Sequence, residues 1–181
     1  MYEAEKKKYT VKDYEQLPEG SLYQLIDGDL IMTPAPNPYH QRISIRLSIQ
    51  LNNFIVKNGL GEILVSPIDV NFSETETFQP DIIFVSKGGE GIIGEQKIEG
   101  APDLVIEILS PATAYYDLKS KKKTYEAYDV KEYWIVDPVE KNIEVYENIG
   151  KEFKLFLNVS GKDKVKSKLL AGLEISLNEI F

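Results

Sequence analysis

Short apolar runs broken by turn residues recur along the chain, and their periods predict both strands and helices. Tyr23-Gln24-Leu25-Ile26 and Leu30-Ile31-Met32 flank Asp27-Gly28, which reads as a hairpin over residues 22 to 32. Before it, Thr10 to Leu17 reads as a short helix with Thr10 as N-cap and Asp13 in the capping-box position. Pro34, Pro36 and Pro38 stiffen the next loop. From His40 to Lys57 two patterns compete. Ile43, Ile45, Leu47, Ile49 and Leu51 alternate as in a strand, while Ile43, Leu47, Leu51 and Phe54 form a helical stripe. The length, the lack of an internal breaker and the stop at Asn58-Gly59 favour a helix, apolar on more than one side and therefore largely buried.

Strands are expected at 62–66, 69–72 and 81–85, then a mobile glycine-rich loop at 87–100. A strand at 104–109, a helix at 113–129 and a strand at 132–137 follow, then a hairpin of 143–148 with 153–159 and a short tail over 169–181. Strand, helix, strand in the middle of the chain implies a sheet with a crossover helix.

The 181 residues fit one domain with a real core, and residues 1–9 read as a flexible tail. The chain lacks cysteine, which excludes disulfides and thiolate metal sites and points to a reducing, cytoplasmic setting. The opening residues lack the apolar segment of a signal peptide, and no apolar run approaches membrane-helix length. A net charge of -8 argues against non-specific coating of nucleic acid. Cations cluster locally, with both arginines, Arg42 and Arg46, in one segment and Lys119, Lys121, Lys122 and Lys123 in another.

Chemistry concentrates around Glu107. It interrupts the apolar run from Leu104 to Leu109, where a carboxylate must be paired, protonated or bound to a metal. A solvent-facing strand side or a structural ion pair would also account for it. Asp81 opens a second apolar strand, directly after Pro80. On neighbouring strands the two carboxylates converge into an oxygen site for a hard cation, Mg²⁺ or Mn²⁺. On the expected helix, Leu118, Tyr125 and Tyr128 share a stripe that includes Lys121, with Lys122 at its margin and Lys119 and Lys123 pointing away. Lys121 is then either a snorkelling lysine or a cation aimed at the carboxylates.

Pro80-Asp81, Glu107-Ile108-Leu109-Ser110-Pro111 and Lys121 together resemble the PD-(D/E)XK nuclease superfamily. The order of further pieces is similar to the Uma-two family of restriction-endonuclease-like proteins over about residues 10 to 181. Those pieces are the run from Tyr23 to Leu30, His40-Gln41-Arg42, the run from Glu99 to Leu104 and the run from Glu132 to Pro138. The resemblance implies an α/β (α+β) restriction-endonuclease-like core: a mixed central sheet flanked by helices, with an N-terminal hairpin extension. It departs from the superfamily at Leu109, where a lysine is expected and which Lys121 would replace, and from the family at Gln24, where Glu is usual.

The expected function is a metal-dependent endonuclease acting on nucleic acid, DNA before RNA. Asp81 and Glu107 would hold Mg²⁺ or Mn²⁺, and Lys121 would stabilise the transition state. His40, Arg42, Gln24 and Lys122 are secondary candidates for substrate binding, although a lone histidine near a helix start is more often structural. The alternatives are a degenerate nuclease fold that binds nucleic acid or protein, and a structural protein with a buried ion network. The resemblance implies a homodimer, with exposed apolar residues expected at Ile143, Val145, Tyr146, Phe153, Leu155 and Phe156.

Overall fold

A computed structural model describes residues 7–18 and 20–181. The first six residues of the expected tail lie outside the described residues; Tyr9 is tied down, its N–H donating to Gly28 O at 2.8 Å. Helix α1 (Val11–Tyr14) precedes a hairpin of β1 (Tyr23–Ile26) and β2 (Asp29–Met32), and α2 spans Pro38–Asn58. Strands β3 (Gly61–Val65), β4 (Val70–Ser73), β5 (Glu76–Phe78), β6 (Ile82–Ser86), β7 (Ile98–Glu99) and β8 (Leu104–Ile108) follow. The crossover consists of α3 (Ala114–Tyr116), a π-helical turn (Asp117–Lys121) and α4 (Lys122–Ala127). Strands β9 (Glu132–Asp137), β10 (Asn142–Asn148), β11 (Phe153–Ser160), β12 (Lys164–Lys166) and β13 (Glu174–Ser176) complete the chain.

The central sheet is mixed, in the order β11-β10-β9-β8-β6-β3, with β8 and β9 parallel and the other pairs antiparallel. The N-terminal hairpin joins a second sheet, β2-β1-β5-β4-β7. Two of those strands, β5 and β7, escape a reading by periodicity because each has at most three residues. The glycine-rich segment expected as a mobile loop holds a 3₁₀ turn at Glu90–Ile92 and then β7, which pairs with β4.

Alternation along the central strands divides the core. Ile82, Phe84, Leu104, Ile106, Ile108, Trp134 and Val136 pack with α2 and the C-terminal segment. Ile83, Val105, Tyr133 and Ile135 pack on the opposite side with Phe78, Tyr125 and Phe153. Helix α2 starts where the Asn37 side chain accepts from the N–H groups of Tyr39 and His40, with Pro38 in the first turn, and ends at Gly59 in the left-handed region. Its buried row is Ile43, Leu47, Leu51 and Ile55. The expectation of a helix buried on more than one side is wrong: Ile45, Ile49 and Val56 are more than half exposed. Only one side of α2 meets the sheet, and the alternating isoleucines sit on opposite sides. No helix among the described residues is long and apolar enough to cross a membrane.

The C-terminal residues are not a tail. Leu170, Leu173, Ile175, Leu177 and Ile180 belong to the core, and Arg46 donates to the carbonyls of Ile180 and Phe181. Buried Glu132 anchors this segment. It accepts from Trp134 Nε1, Ser167 Oγ, and the N–H groups of Lys168 and Leu169, at 2.6 to 2.8 Å. The closing hairpin also corrects an expectation. Ile143, Val145 and Phe153 are buried, and of the six residues expected at the surface only Leu155 and Phe156 are exposed. Because Glu132 satisfies four donors, Glu132→Ala should destabilise the protein by about 3 kcal/mol or more. Urea unfolding measures this, and a loss below about 1 kcal/mol would show that the clamp is dispensable.

Candidate active site

Register brings the two acids together. Strands β6 and β8 pair antiparallel with Ile82 opposite Ile106. Continuing by one residue sets Asp81 opposite Glu107, where side chains share a face of the sheet. Asp81 is tied to β8 directly, since Ile108 N–H, next to Glu107, donates to Asp81 Oδ2 at 2.8 Å. Both residues line one cavity of about 420 Å³, together with Gln24, His40, Gln79, Ser110 and Lys121 among others.

Glu107 is 3% exposed. Its Oε1 accepts from Lys121 Nζ at 3.1 Å and from Tyr125 OH at 2.6 Å, which leaves Oε2 outside these bonds. Burial pushes the Glu107 carboxyl well above its ordinary range; Lys121 opposes this, and Asp117 and Asp81 add to it. For Lys121, itself 2% exposed, burial alone would lower the ammonium, but Asp117 and Glu107 outweigh it and hold it protonated. Lys121 Nζ lies 2.9 Å from Asp117 Oδ1. That contact is a fully buried i,i+4 ion pair.

The π turn explains which residues reach the site. One extra residue per hydrogen-bonded ring shifts the helical phase. Lys121 and Tyr125 face inward as expected, but Leu118 does not and is 45% exposed; Tyr128, 42% exposed, keeps its ring edge against buried Phe72. Asp117 turns inward at the start of the same turn. An inward lysine with an acid four residues earlier is a legible helical pair, and that spacing was the signal for Asp117. The hydroxyl of Tyr125 had no comparable signal, because an aromatic residue on an inward stripe reads as packing.

His40, near the start of α2, places Nε2 3.0 Å from Ile108 O and 3.3 Å from Asp81 Oδ2. Both neighbours are acceptors, so Nε2 carries a proton. Burial lowers the imidazole, but the Asp81 bond and charge outweigh it and raise it overall. Gln24 is buried and accepts from Gln79 N–H through Oε1 at 3.0 Å. The structure does not bring Arg42 and Lys122 into the cavity lining. Exposed Arg42 lies over the Tyr39 ring, and Lys122 stacks on Tyr146 with Nζ 3.5 Å from the ring centroid.

The mixed sheet with its β8–β9 crossover has a restriction-endonuclease-like nuclease fold. A crystal structure of "a putative nuclease belonging to DUF820" from Anabaena variabilis ATCC 29413 matches it with a TM-score of 0.78 and 22% identity, over 95% of this chain and 97% of that one. The chain belongs to the Uma2 family, described as "Putative restriction endonuclease", whose model matches residues 11–178. Two relatives from Synechocystis sp. (strain ATCC 27184 / PCC 6803 / Kazusa) are uncharacterized proteins. Protein sll1609 is 26% identical over 82% of this chain and 84% of its own length. Protein slr1290 is 26% identical over 88% and 83%.

Because Lys121 compensates two buried carboxylates, its role is structural as well as electrostatic. Lys121→Met should cost about 3–5 kcal/mol, the range for breaking a buried ion pair. The deficit should widen with pH. An acid whose pKa rises on folding binds more protons native than unfolded, so stability falls as pH climbs above its unfolded value. Without Lys121, burial acts on Glu107 unopposed; both proteins lose stability alike from about 4.5, the ordinary value of that carboxyl, and the deficit should widen only above about 8, where the wild-type carboxyl ionises and the variant's does not. Unfolding at several pH values checks both points; a constant small deficit would mean the ammonium is not compensating the pair.

Proposed function

We propose that this chain is a divalent-metal-dependent endonuclease that hydrolyses phosphodiester bonds of nucleic acid, with DNA the preferred substrate, in the cytoplasm. The observation that carries the reading is that Asp81, just before β6, and Glu107, on the neighbouring β8, line one cavity with Lys121. Membership of a family described as "Putative restriction endonuclease" supports the substrate.

The donor set fits Mg²⁺ or Mn²⁺. Two carboxylates from adjacent strands are hard oxygen ligands, and the hydrogen bonds to them engage Asp81 Oδ2 and Glu107 Oε1. Among the described residues, no group of three or more histidines, cysteines or acids gathers to hold an ion. That suits Mg²⁺, which is usually held by one or two carboxylates and completed by water and substrate phosphate. When bound, such an ion polarises a phosphoryl oxygen and lowers the pKa of water. The protein's part is to place charge. Asp81 and Glu107 would hold the ion, with Ile108 N–H and the Tyr125 hydroxyl fixing their orientation. Lys121 would stabilise negative charge building on phosphoryl oxygens at the cavity. His40 would hold Asp81 through Nε2. Gln24 would line the substrate path, its Oε1 already committed to Gln79.

Gln24 also favours a second reading, a degenerate nuclease that binds nucleic acid without cutting it, since an amide is a weaker ion ligand than a carboxylate. The assembly proposed with either reading is a homodimer, with the exposed row of Ile45, Ile49 and Val56 on α2 as the contact. Light scattering at micromolar concentration showing only a 20.6 kDa species would contradict it.

Cleavage of single- and double-stranded DNA and RNA in Mg²⁺ or Mn²⁺ tests the function. The wild type should cut, EDTA should stop it, and Asp81→Ala should lower turnover by about a hundredfold or more. Metal binding and DNA binding without cutting would favour the second reading, and cutting that survives Asp81→Ala would refute the site.

A further inference from the structure

The chain is acidic, but its charges are unevenly spread. From Leu30 to Gly61 there is no aspartate or glutamate, and from Ser110 to Tyr125 there is one, Asp117, which is buried against Lys121. These two segments carry seven of the 21 lysines and arginines and one of the 29 acids. They also wall the cavity, the first through Thr33 to Asn37, His40 and Gln41, the second through Ser110 to Thr113 and Lys121. Elsewhere on the surface, Lys131, Lys151, Lys154, Lys164 and Lys166 each hold a carboxylate. Arg42, Lys119 and Lys123, exposed on the two wall segments, form no ion pair among the described residues. Two of them lie over rings instead: Arg42 is 5.9 Å from the Tyr39 centroid, and Lys119 is 5.2 Å from that of Tyr115. Tyr115 is 63% exposed, two residues past the cavity wall, with Tyr116 nearly perpendicular beside it.

Acid-poor walls that bear unpaired cations suit a polyanion, and the net charge of -8 confines it to this part of the surface. Depth decides which polyanion. Glu107 and Lys121 at the cavity are almost wholly buried, while Pro34, Pro36 and Pro111 on the walls stand exposed. A duplex keeps its bases stacked on each other and its backbone on a stiff outer cylinder, which projecting walls hold away from the acids. A single strand bends into the recess and turns its bases outward, where they need an apolar face to rest on. Cations interleaved with exposed rings supply both contacts. A base that stacks on Tyr115 takes the face that Lys119 covers, and the displaced ammonium turns to the adjoining phosphate.

We propose that the cavity mouth is a single-strand nucleic-acid site: Tyr115 stacks a base, and Arg42 on one wall, with Lys119 and Lys123 on the other, contacts phosphates flanking the recess. The proposal rests on the nuclease reading above and deepens it, because the strand to be cut enters the recess unpaired.

The test is fluorescence anisotropy with the full chain in EDTA, which prevents cleavage. The probes are a labelled DNA strand of mixed sequence, the same strand annealed to its complement, and an RNA strand of the same sequence. A single strand should bind about tenfold more tightly than the duplex; a merely electrostatic surface would favour the duplex, whose charge density is higher. Tyr115→Ala should weaken single-strand binding by about fivefold or more, and Tyr115→Phe, which keeps the ring, should match the wild type. Arg42→Ala and Lys119→Ala should each lower the slope of log affinity against log salt by about 0.7, the value for one phosphate of a single strand. Lys87→Ala, at the far end of β6 from Asp81, should leave that slope unchanged. Whichever strand, DNA or RNA, binds more tightly names the substrate. A duplex bound as tightly as both strands, or Tyr115→Ala binding like the wild type, would overturn the proposal. Cleavage in Mg²⁺ separates the two readings. A wild type that cuts while Tyr115→Ala binds unchanged removes the single-strand site only. A wild type that binds single strands as expected but never cuts removes the nuclease reading and leaves the site, and one that neither binds nor cuts removes both.

Discussion

Glu107 sits almost wholly buried in a strand otherwise made of Leu104, Val105, Ile106 and Ile108, and its charge has to be met inside the protein. Most of the arrangement on that side of the sheet answers this demand. The Lys121 ammonium and the Tyr125 hydroxyl converge on one oxygen. The crossover between β8 and β9 must place both groups over the sheet, and the π turn sets their phase. Tyr133 on β9 ties the start of that turn to the sheet through the Asp117 carbonyl. A plain hydrophobic residue at 107 would need none of this and would pack at lower cost, so the carboxylate is retained against the interest of stability.

The same demand explains why the acid pair is asymmetric. Glu107 comes from the middle of the sheet and is met by buried donors, while Asp81 lies one residue outside β6 and is met by a backbone N–H and by His40 at the cavity. The protein therefore holds one carboxylate rigidly from within and the other from the rim.

Much of this was legible in the sequence. An acid inside an apolar strand cannot be neutral to folding, so Glu107 announced itself, and the Pro80-Asp81 strand start supplied its partner. Helical phase correctly brought Lys121 inward. The π turn was not legible, because a one-residue change in winding leaves no mark on composition or periodicity; Leu118 was misplaced for that reason. Arg42 and Lys122 lie outside the cavity lining, since charge shows which residues seek anions or rings, not which way the backbone aims them. Both ended on aromatic rings outside the cavity. Strands as short as β5 and β7 carry too few residues for a period to show, and the C-terminal segment was undervalued because its anchor, Glu132, lies far away in sequence.

The most direct measurement is anomalous diffraction at the manganese edge from crystals soaked in Mn²⁺. The account predicts a peak with both the Asp81 and Glu107 carboxylates within about 2–2.5 Å, the range for oxygen ligands of hard cations. No peak at that position in crystals whose manganese binds elsewhere, or a peak held by only one of the two acids, would contradict it.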